Sequence, residues 1–288
     1  MLSSHSALLI ATDIDGTLLD GEARLPYGAP EWRRAIHTLG ASVASCEVAF
    51  ASSRTLDELM VLQRVLGMRG PCIAEDGAIL ALDETTTLPA DAAIPRHDGE
   101  RRYGRRRLRV WTQARSASVL RELMADVESV DRADASRFTR SALHELGFHT
   151  PGAIRRALQA RHHSLLLDPT RLTGDEIASA RTLAAARGLQ LRRGGRWLTL
   201  ADGSGKGTAL TLLRHLRIVC GVSPIVIAVG NEENDVSLLQ KADLAFVIRN
   251  PGRGPHPVLA AIPHAVVLDT EGARGWLEML SRLRELVT

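Results

Sequence analysis

Short apolar runs alternate with amphipathic stretches at both ends of this 288-residue chain, and the alternation stops in between. From the N-terminus, Ala7 to Thr12 reads as a buried strand, Pro30 to Leu39 as a helix, Cys46 to Ala51 as a strand, Thr55 to Leu66 as an amphipathic helix and Cys72 to Glu75 as a third strand. Toward the C-terminus, Gly207 to Leu216 and Asp235 to Ala242 read as helices around the strand Pro224 to Val229, and Leu244 to Ile248, His264 to Leu268 and Gly275 to Val287 continue as strand, strand and helix. Nearly continuous apolar strands alternating with helices are buried on both faces. The expected fold is therefore α/β, a Rossmann-like parallel sheet core with ligands beyond the carboxyl ends of its strands. Between the two blocks the texture turns Pro- and Arg-rich, with isolated strands such as Leu108 to Thr112 and Ser164 to Leu167 and a helix over Ser118 to Val127. This stretch reads as an inserted α+β cap domain. The expected division is a core of residues 1–83 and 195–288 and a cap of residues 84–194.

Composition narrows the function. A hydrophobic fraction of 45% with 24% charged residues is that of a globular domain pair, and no apolar run approaches the roughly 20 residues of a membrane span. The start of the chain runs from Ala7 to Ala11 straight into Asp13 with no signal-peptide pattern, so the expected location is the cytoplasm. A net charge of +3 is too small to indicate a nucleic-acid partner, and 3% aromatic residues counts against base stacking. Arg101, Arg102, Arg105, Arg106, Arg107 and Arg109 concentrate positive charge locally. Such a run reads first as a solvated face; in a cap that closes over the sheet it is also a candidate reader of a second anionic group on a substrate. Cys46, Cys72 and Cys220 lie far apart, with no pair spaced for zinc or redox chemistry, and read as buried thiols.

Four elements carry chemistry. Asp13-Ile14-Asp15-Gly16-Thr17 ends the first strand: two acids one residue apart can face a common ligand, Gly16 permits a sharp turn, and Thr17 offers a hydroxyl and an amide to an anion. The string lacks the later Gly and distal Glu of a calcium loop. Ser52, followed by Ser53 and Arg54, ends the second strand just before a helix, where free amides hold phosphate oxygens. Lys206 offers a cation at the start of another helix, in Gly205-Lys206-Gly207, which is not a Walker loop. Asn231-Glu232-Glu233-Asn234-Asp235 follows a strongly apolar strand with an oxygen-rich set suited to a hard cation such as Mg2+.

In this order the four elements resemble the haloacid dehalogenase superfamily of phosphatases. Finer matches, Ser52-Ser53-Arg54-Thr55, Glu75-Asp76-Gly77-Ala78, Gly194-Gly195-Arg196-Trp197 and Gly272-Ala273-Arg274-Gly275-Trp276, resemble the mannosyl-3-phosphoglycerate phosphatase family. The resemblance implies catalysis by Asp13 as nucleophile and Asp15 as general acid/base, with Ser52 and Lys206 neutralising charge. It also implies Mg2+ on Asp13, the Asp15 carbonyl, Asn231 and Asp235. Thr17, Ser53, Arg54 and Arg196 become candidates for binding a small-molecule phosphate ester. Asn231 stands where the family has Asp, and Arg161-His162-His163-Ser164 stands where its cap carries an acidic stretch. Two other functions compete: a broad sugar-phosphate or nucleotide phosphatase of the same fold, and a catalytically silent anion-binding module.

Overall fold

The computed structural model describes residues 2–20, 24–25, 28–89, 95–194, 197–202 and 205–287. Strand β1 (Ala7–Thr12) leads to α1 (Ala29–Gly40), β2 (Ser45–Ala51), α2 (Leu56–Leu66) and β3 (Cys72–Ala74). Helix α2 shows how local sequence sets an element. The Thr55 hydroxyl accepts from the Glu58 amide, the Glu58 carboxylate accepts from the Thr55 amide, and Gly67 ends the helix in a left-handed conformation. A turn over Glu75–Gly77 gives β4 (Ile79–Asp83), followed by the hairpin of β5 (Gly99–Tyr103) and β6 (Arg106–Thr112).

The chain then forms α3 (Ala117–Leu123), α4 (Glu128–Ala133), α5 (Arg140–Glu145), α6 (Pro151–Ile154) with a π-helical extension over Arg155–Gln159, β7 (Ser164–Leu167), α7 (Gly174–Ala186), β8 (Leu189–Gly194) and β9 (Trp197–Asp202). It returns through α8 (Gly205–Val219), β10 (Ile225–Gly230), α9 (Val236–Gln240), β11 (Leu244–Arg249), α10 (Pro257–Ala260), β12 (Ala265–Glu271) and α11 (Ala273–Glu285).

The core sheet has nine strands in the order β12-β11-β10-β1-β2-β3-β4-β6-β5. The six from β12 to β3 are parallel and the last three pair antiparallel. This is the α/β architecture expected from the alternation. Apolar layers cover both faces, one around Ile10, Phe50, Val229 and Trp276, the other around Leu9, Ala51, Leu213 and Val247. Trp32 packs edge-on against Trp276 with ring centroids 4.8 Å apart. Among the described residues no helix is long and apolar enough to cross a membrane. Burial pushes the Cys72 thiol up to about 12 and that of Cys46 to about 11, so neither is a reactive nucleophile.

Both domain boundaries differ from those expected. Residues 84–112 lie with the core: β6 pairs with β4, and Trp111 is 2% exposed in the layer that also holds Leu9. The Arg-rich texture that suggested a new domain belongs to an edge hairpin that buries Leu108 and Val110 on one face and Trp111 on the other, and charge on an edge strand discourages pairing with another chain. At the other end, β9 pairs with β7 and β8 in a three-stranded antiparallel sheet, so the cap runs to Asp202. The cap has its own apolar cluster around Leu120, Leu165, Leu191 and Leu200. Arg115 ties its two crossings together, with Nε donating to Asp202 Oδ2 at 2.8 Å and Nη2 to Oδ1 at 2.9 Å.

Candidate active site

The carboxyl edge of β1 is anchored before any functional side chain is placed. The Asp13 amide donates to Val229 O at 2.9 Å. Buried Trp276 donates from Nε1 to the Thr12 hydroxyl at 2.9 Å, and that hydroxyl donates to Asp13 O at 2.7 Å. Two residues on, Gly16 has φ +83° and a side chain there would collide with the Asn231 amide, so the turn needs glycine.

The floor of the site is a buried ion cluster. Lys206 Nζ donates to Asp13 Oδ1 at 2.7 Å and to Asp235 Oδ1 at 2.6 Å, with the Lys206 side chain fully buried. Burial and the nearby Asp235 push the Asp13 carboxyl up to about 8, against the opposing pull of Lys206. Burial alone would lower Lys206, but Asp13 and Asp235 outweigh it and hold the ammonium protonated above the ordinary lysine value. Asp235 was expected beside the cation. Its Oδ1 instead faces Lys206, and its Oδ2 accepts from the amides of Asn231 at 3.0 Å and Glu232 at 3.1 Å, so it serves as a counter-ion that also shapes the loop.

Other expected residues divide in the same way. Ser52, buried at the end of β2, accepts from the Arg54 amide at 3.2 Å. Thr17 was expected to offer its hydroxyl to an anion; it is fully buried and donates instead to Asn231 Oδ1 at 2.9 Å. Ser53, Arg54 and Asp15 line a cavity of about 1110 Å³. Arg54 grips Asp15 with a two-point fork, Nε to Oδ2 at 2.8 Å and Nη2 to Oδ1 at 2.7 Å. Arg196 lies outside the described residues.

On its core side the cavity is lined by Asp15, Ser53, Arg54 and Asn231, not by Asp13, Ser52, Lys206 or Asp235, and the cap contributes Phe148, Arg156, Arg161, Arg193 and Trp197. The basic run from Arg101 to Arg109 does not line it. Arg106 bonds Asp83 and Gln63, Arg107 pairs with Glu84, and Arg109 donates to Thr86 O, all along the sheet edge. Apart from the largely buried Arg106, that run is a surface feature, because β5 and β6 extend the sheet beyond β4 rather than belonging to the cap.

Three residues that the sequence analysis quoted within longer strings, without giving them a role, connect the parts. Glu75, in the left-handed region at φ +49° and fully buried, accepts from the amides of His162 at 3.1 Å and His163 at 2.8 Å and from the Ser164 hydroxyl at 2.8 Å. A second non-glycine residue at positive φ, Asp76, accepts from Asn234 Nδ2 at 2.9 Å. Consecutive residues in this region are strained, and the surrounding bonds hold them there. Arg161 reaches from the cap to donate to Ser53 O at 2.9 Å. His162 and His163 thus meet Glu75 through their backbone amides. The signal in the sequence was the Glu75-Asp76-Gly77 turn after a strand, but nothing local named its partners.

The donor set for a hard cation is present. Asn231 Oδ1 lies 3.3 Å from Asp13 Oδ2 and 3.2 Å from the Asp15 carbonyl oxygen, so a carboxylate, an amide and a backbone oxygen face one another. Among the described residues no three His, Cys, Asp or Glu side chains converge. One carboxylate with two neutral oxygens suits Mg2+, which keeps several waters, better than zinc.

Residues 10–98 match the family model described as haloacid dehalogenase-like hydrolase. Among solved structures, a haloacid dehalogenase-like hydrolase from B. subtilis aligns with TM-score 0.64 at 17% identity, covering 96% of this chain and 99% of that one. A sugar phosphatase of haloacid dehalogenase subclass IIB aligns with TM-score 0.60 at 15% identity over 96% and 98%. The sucrose-phosphatase of Synechocystis, solved with sucrose and phosphate, aligns with TM-score 0.54 at 14% identity over 96% and 98%. This chain has the fold that these haloacid dehalogenase-like structures share.

Proposed function

We propose that the chain is a Mg2+-dependent phosphomonoesterase acting on a small phosphorylated sugar derivative, with a glycosyl-3-phosphoglycerate such as mannosyl-3-phosphoglycerate as the leading candidate. The observation that carries the reading is the buried Asp13–Lys206–Asp235 cluster at the carboxyl edge of the parallel sheet, next to Asn231 and Asp15, which line a cavity large enough for a sugar phosphate. An oxygen of Asp13 attacks phosphorus as the ester P–O bond breaks, giving an aspartyl-phosphate, while Asp15 supplies a proton to the leaving oxygen. Water then attacks the phosphorus, Asp15 takes its proton, and Asp13 is restored. Lys206 neutralises charge gathering on the transferring group, and Ser52 holds one of its oxygens. Asp13, the Asp15 carbonyl and Asn231 would hold Mg2+, which supplies further neutralisation of phosphoryl oxygens.

The sugar reading is supported by the cap's aromatic and basic side chains over the cavity, Trp197, Phe148 and Arg156, and by the likeness to the sugar and sucrose phosphatases. The test is phosphate release from a panel of esters with MgCl2 and with EDTA. Release confined to Mg2+ and greatest for glycosyl-3-phosphoglycerates is expected. Equal rates on plain hexose phosphates or nucleotides would replace the specific substrate with a broad one, and no release from any ester would leave an anion-binding module.

A further inference from the structure

We propose that Asn250 is a positioning residue for the cation site, fixing the Asn231 side chain so that its oxygen, not its nitrogen, faces Asp13 and the Asp15 carbonyl. The inference rests on the magnesium reading above and concerns a residue outside all four motifs.

The two ends of a carboxamide have nearly the same shape and opposite hydrogen-bonding sense. Around Asn231 the surroundings make competing demands on them. On one side stand Thr17 Oγ1 at 2.9 Å, the Asp15 carbonyl at 3.2 Å and Asp13 Oδ2 at 3.3 Å. Taken alone, these neighbours would favour a nitrogen, which could donate toward them. On the other side stands Asn250 Oδ1, 2.7 Å from Asn231 Nδ2.

The backbone decides between them. Asn250 Nδ2 donates to the main-chain carbonyl of Asn231 at 3.0 Å, and a carbonyl can only accept. Asn250 therefore cannot turn over without setting two acceptor oxygens against each other, and its own Oδ1 stays aimed at Asn231. That oxygen requires an N–H, so Asn231 must present nitrogen to Asn250 and oxygen to the acids. Asn231 is 2% and Asn250 5% exposed, so a lost bond is not replaced cheaply by bulk water. Asn250 is itself held in the turn after β11, its amide donating to Gly254 O at 2.9 Å and its carbonyl accepting from the Arg253 amide at 3.0 Å. Thr17 completes the arrangement by donating to Asn231 Oδ1. An aspartate at position 231 would need no such device, since both ends of a carboxylate are oxygen; an amide without it can turn an N–H toward the cation.

The test is a double-mutant cycle on the full chain, with Mg2+ affinity read by calorimetric titration of MgCl2 and folding by melting in EDTA. Asn250→Ala should weaken Mg2+ binding by at least about tenfold when residue 231 is Asn, as loss of a residue that orients a metal ligand typically does. When Asn231→Asp is combined with it, the same change should alter binding by less than about twofold, because turning a carboxylate over exchanges oxygen for oxygen. Asn250→Ser is taken through the same cycle, so that failure of one variant to fold leaves the other to decide. Equal losses in the two backgrounds would show that Asn250 acts by packing and overturn the proposal, as would no loss with Asn231. If the unsubstituted chain shows neither binding heat nor a Mg2+-dependent melting shift, the magnesium reading fails and this inference with it.

Discussion

The buried ion cluster at the floor of the site and the cap side chains that line the cavity are held in different ways. At the floor, Asp13, Lys206 and Asp235 are each no more than 5% exposed and bonded to one another. At the roof, Arg156, Phe148 and Trp197 are half-buried and Arg193 faces solvent. Displacing one member of a buried ionic network strands the others away from water, whereas an exposed side chain moves at little cost. On the proposed reading, the groups that any phosphate ester would need are the more rigidly held ones, and those that would distinguish esters stand on the more exposed side. Glu75 joins the two regions, since it belongs to the core and bonds the cap at His162, His163 and Ser164.

The sharpest test of this contrast is Asp13→Asn, which should lower kcat at least about a thousandfold while the fold persists, as measured by phosphate release and circular dichroism. The same variant tests the electrostatics. With its folded value raised to about 8 from an ordinary 3.8, Asp13 favours the folded state fully below the ordinary value and loses that contribution as pH rises through 8. In EDTA, the melting temperature of the variant relative to the unsubstituted chain should therefore rise between pH 5 and 8; a constant difference would show that Asp13 is ionised throughout.

Lys206→Met comes next. It leaves the Asp13 and Asp235 carboxyl groups buried together without their cation and should cost about 3 to 5 kcal/mol in denaturant unfolding, in addition to most of the activity. If stability is unchanged, the floor is less rigidly coupled than its bonds indicate.

Glu75→Ala should lower kcat/KM about tenfold through the cap, a magnitude typical of losing a supporting hydrogen-bonded residue. Faster proteolytic cleavage near Arg115 should accompany it, and Glu75→Gln, which keeps one acceptor oxygen, should lie between. A loss of activity with unaltered cleavage would mean that Glu75 serves the floor alone.

The smallest effects belong to the surface. Arg156→Ala should raise KM for a sugar phosphate severalfold with little change in kcat on a plain aryl phosphate, since it removes binding outside the reacting group. Arg101→Ala and Arg102→Ala on the edge hairpin should leave both constants within about twofold. Should the hairpin variants raise KM as much as the cap variant, the roof is not where selection occurs.

The sequence by itself determined what depends on neighbours along the chain. Apolar runs ending in Asp13, Ser52 and Gly230 announced parallel strands with chemistry at their carboxyl ends, and Thr55 with Glu58 announced the start of α2. Only the tertiary structure decided who meets whom. A strand's alternation does not name its neighbour, so β6 with its arginines read as cap until its pairing with β4 placed it in the core. Likewise Asp235 read as a cation ligand until Lys206 took its Oδ1, Thr17 read as an anion donor until Asn231 took its hydroxyl, and Asn250 carried no local mark of its bonds to Asn231. A side chain's donors and acceptors follow from its type, but which partner satisfies them in a buried site is set by segments brought together from far along the chain.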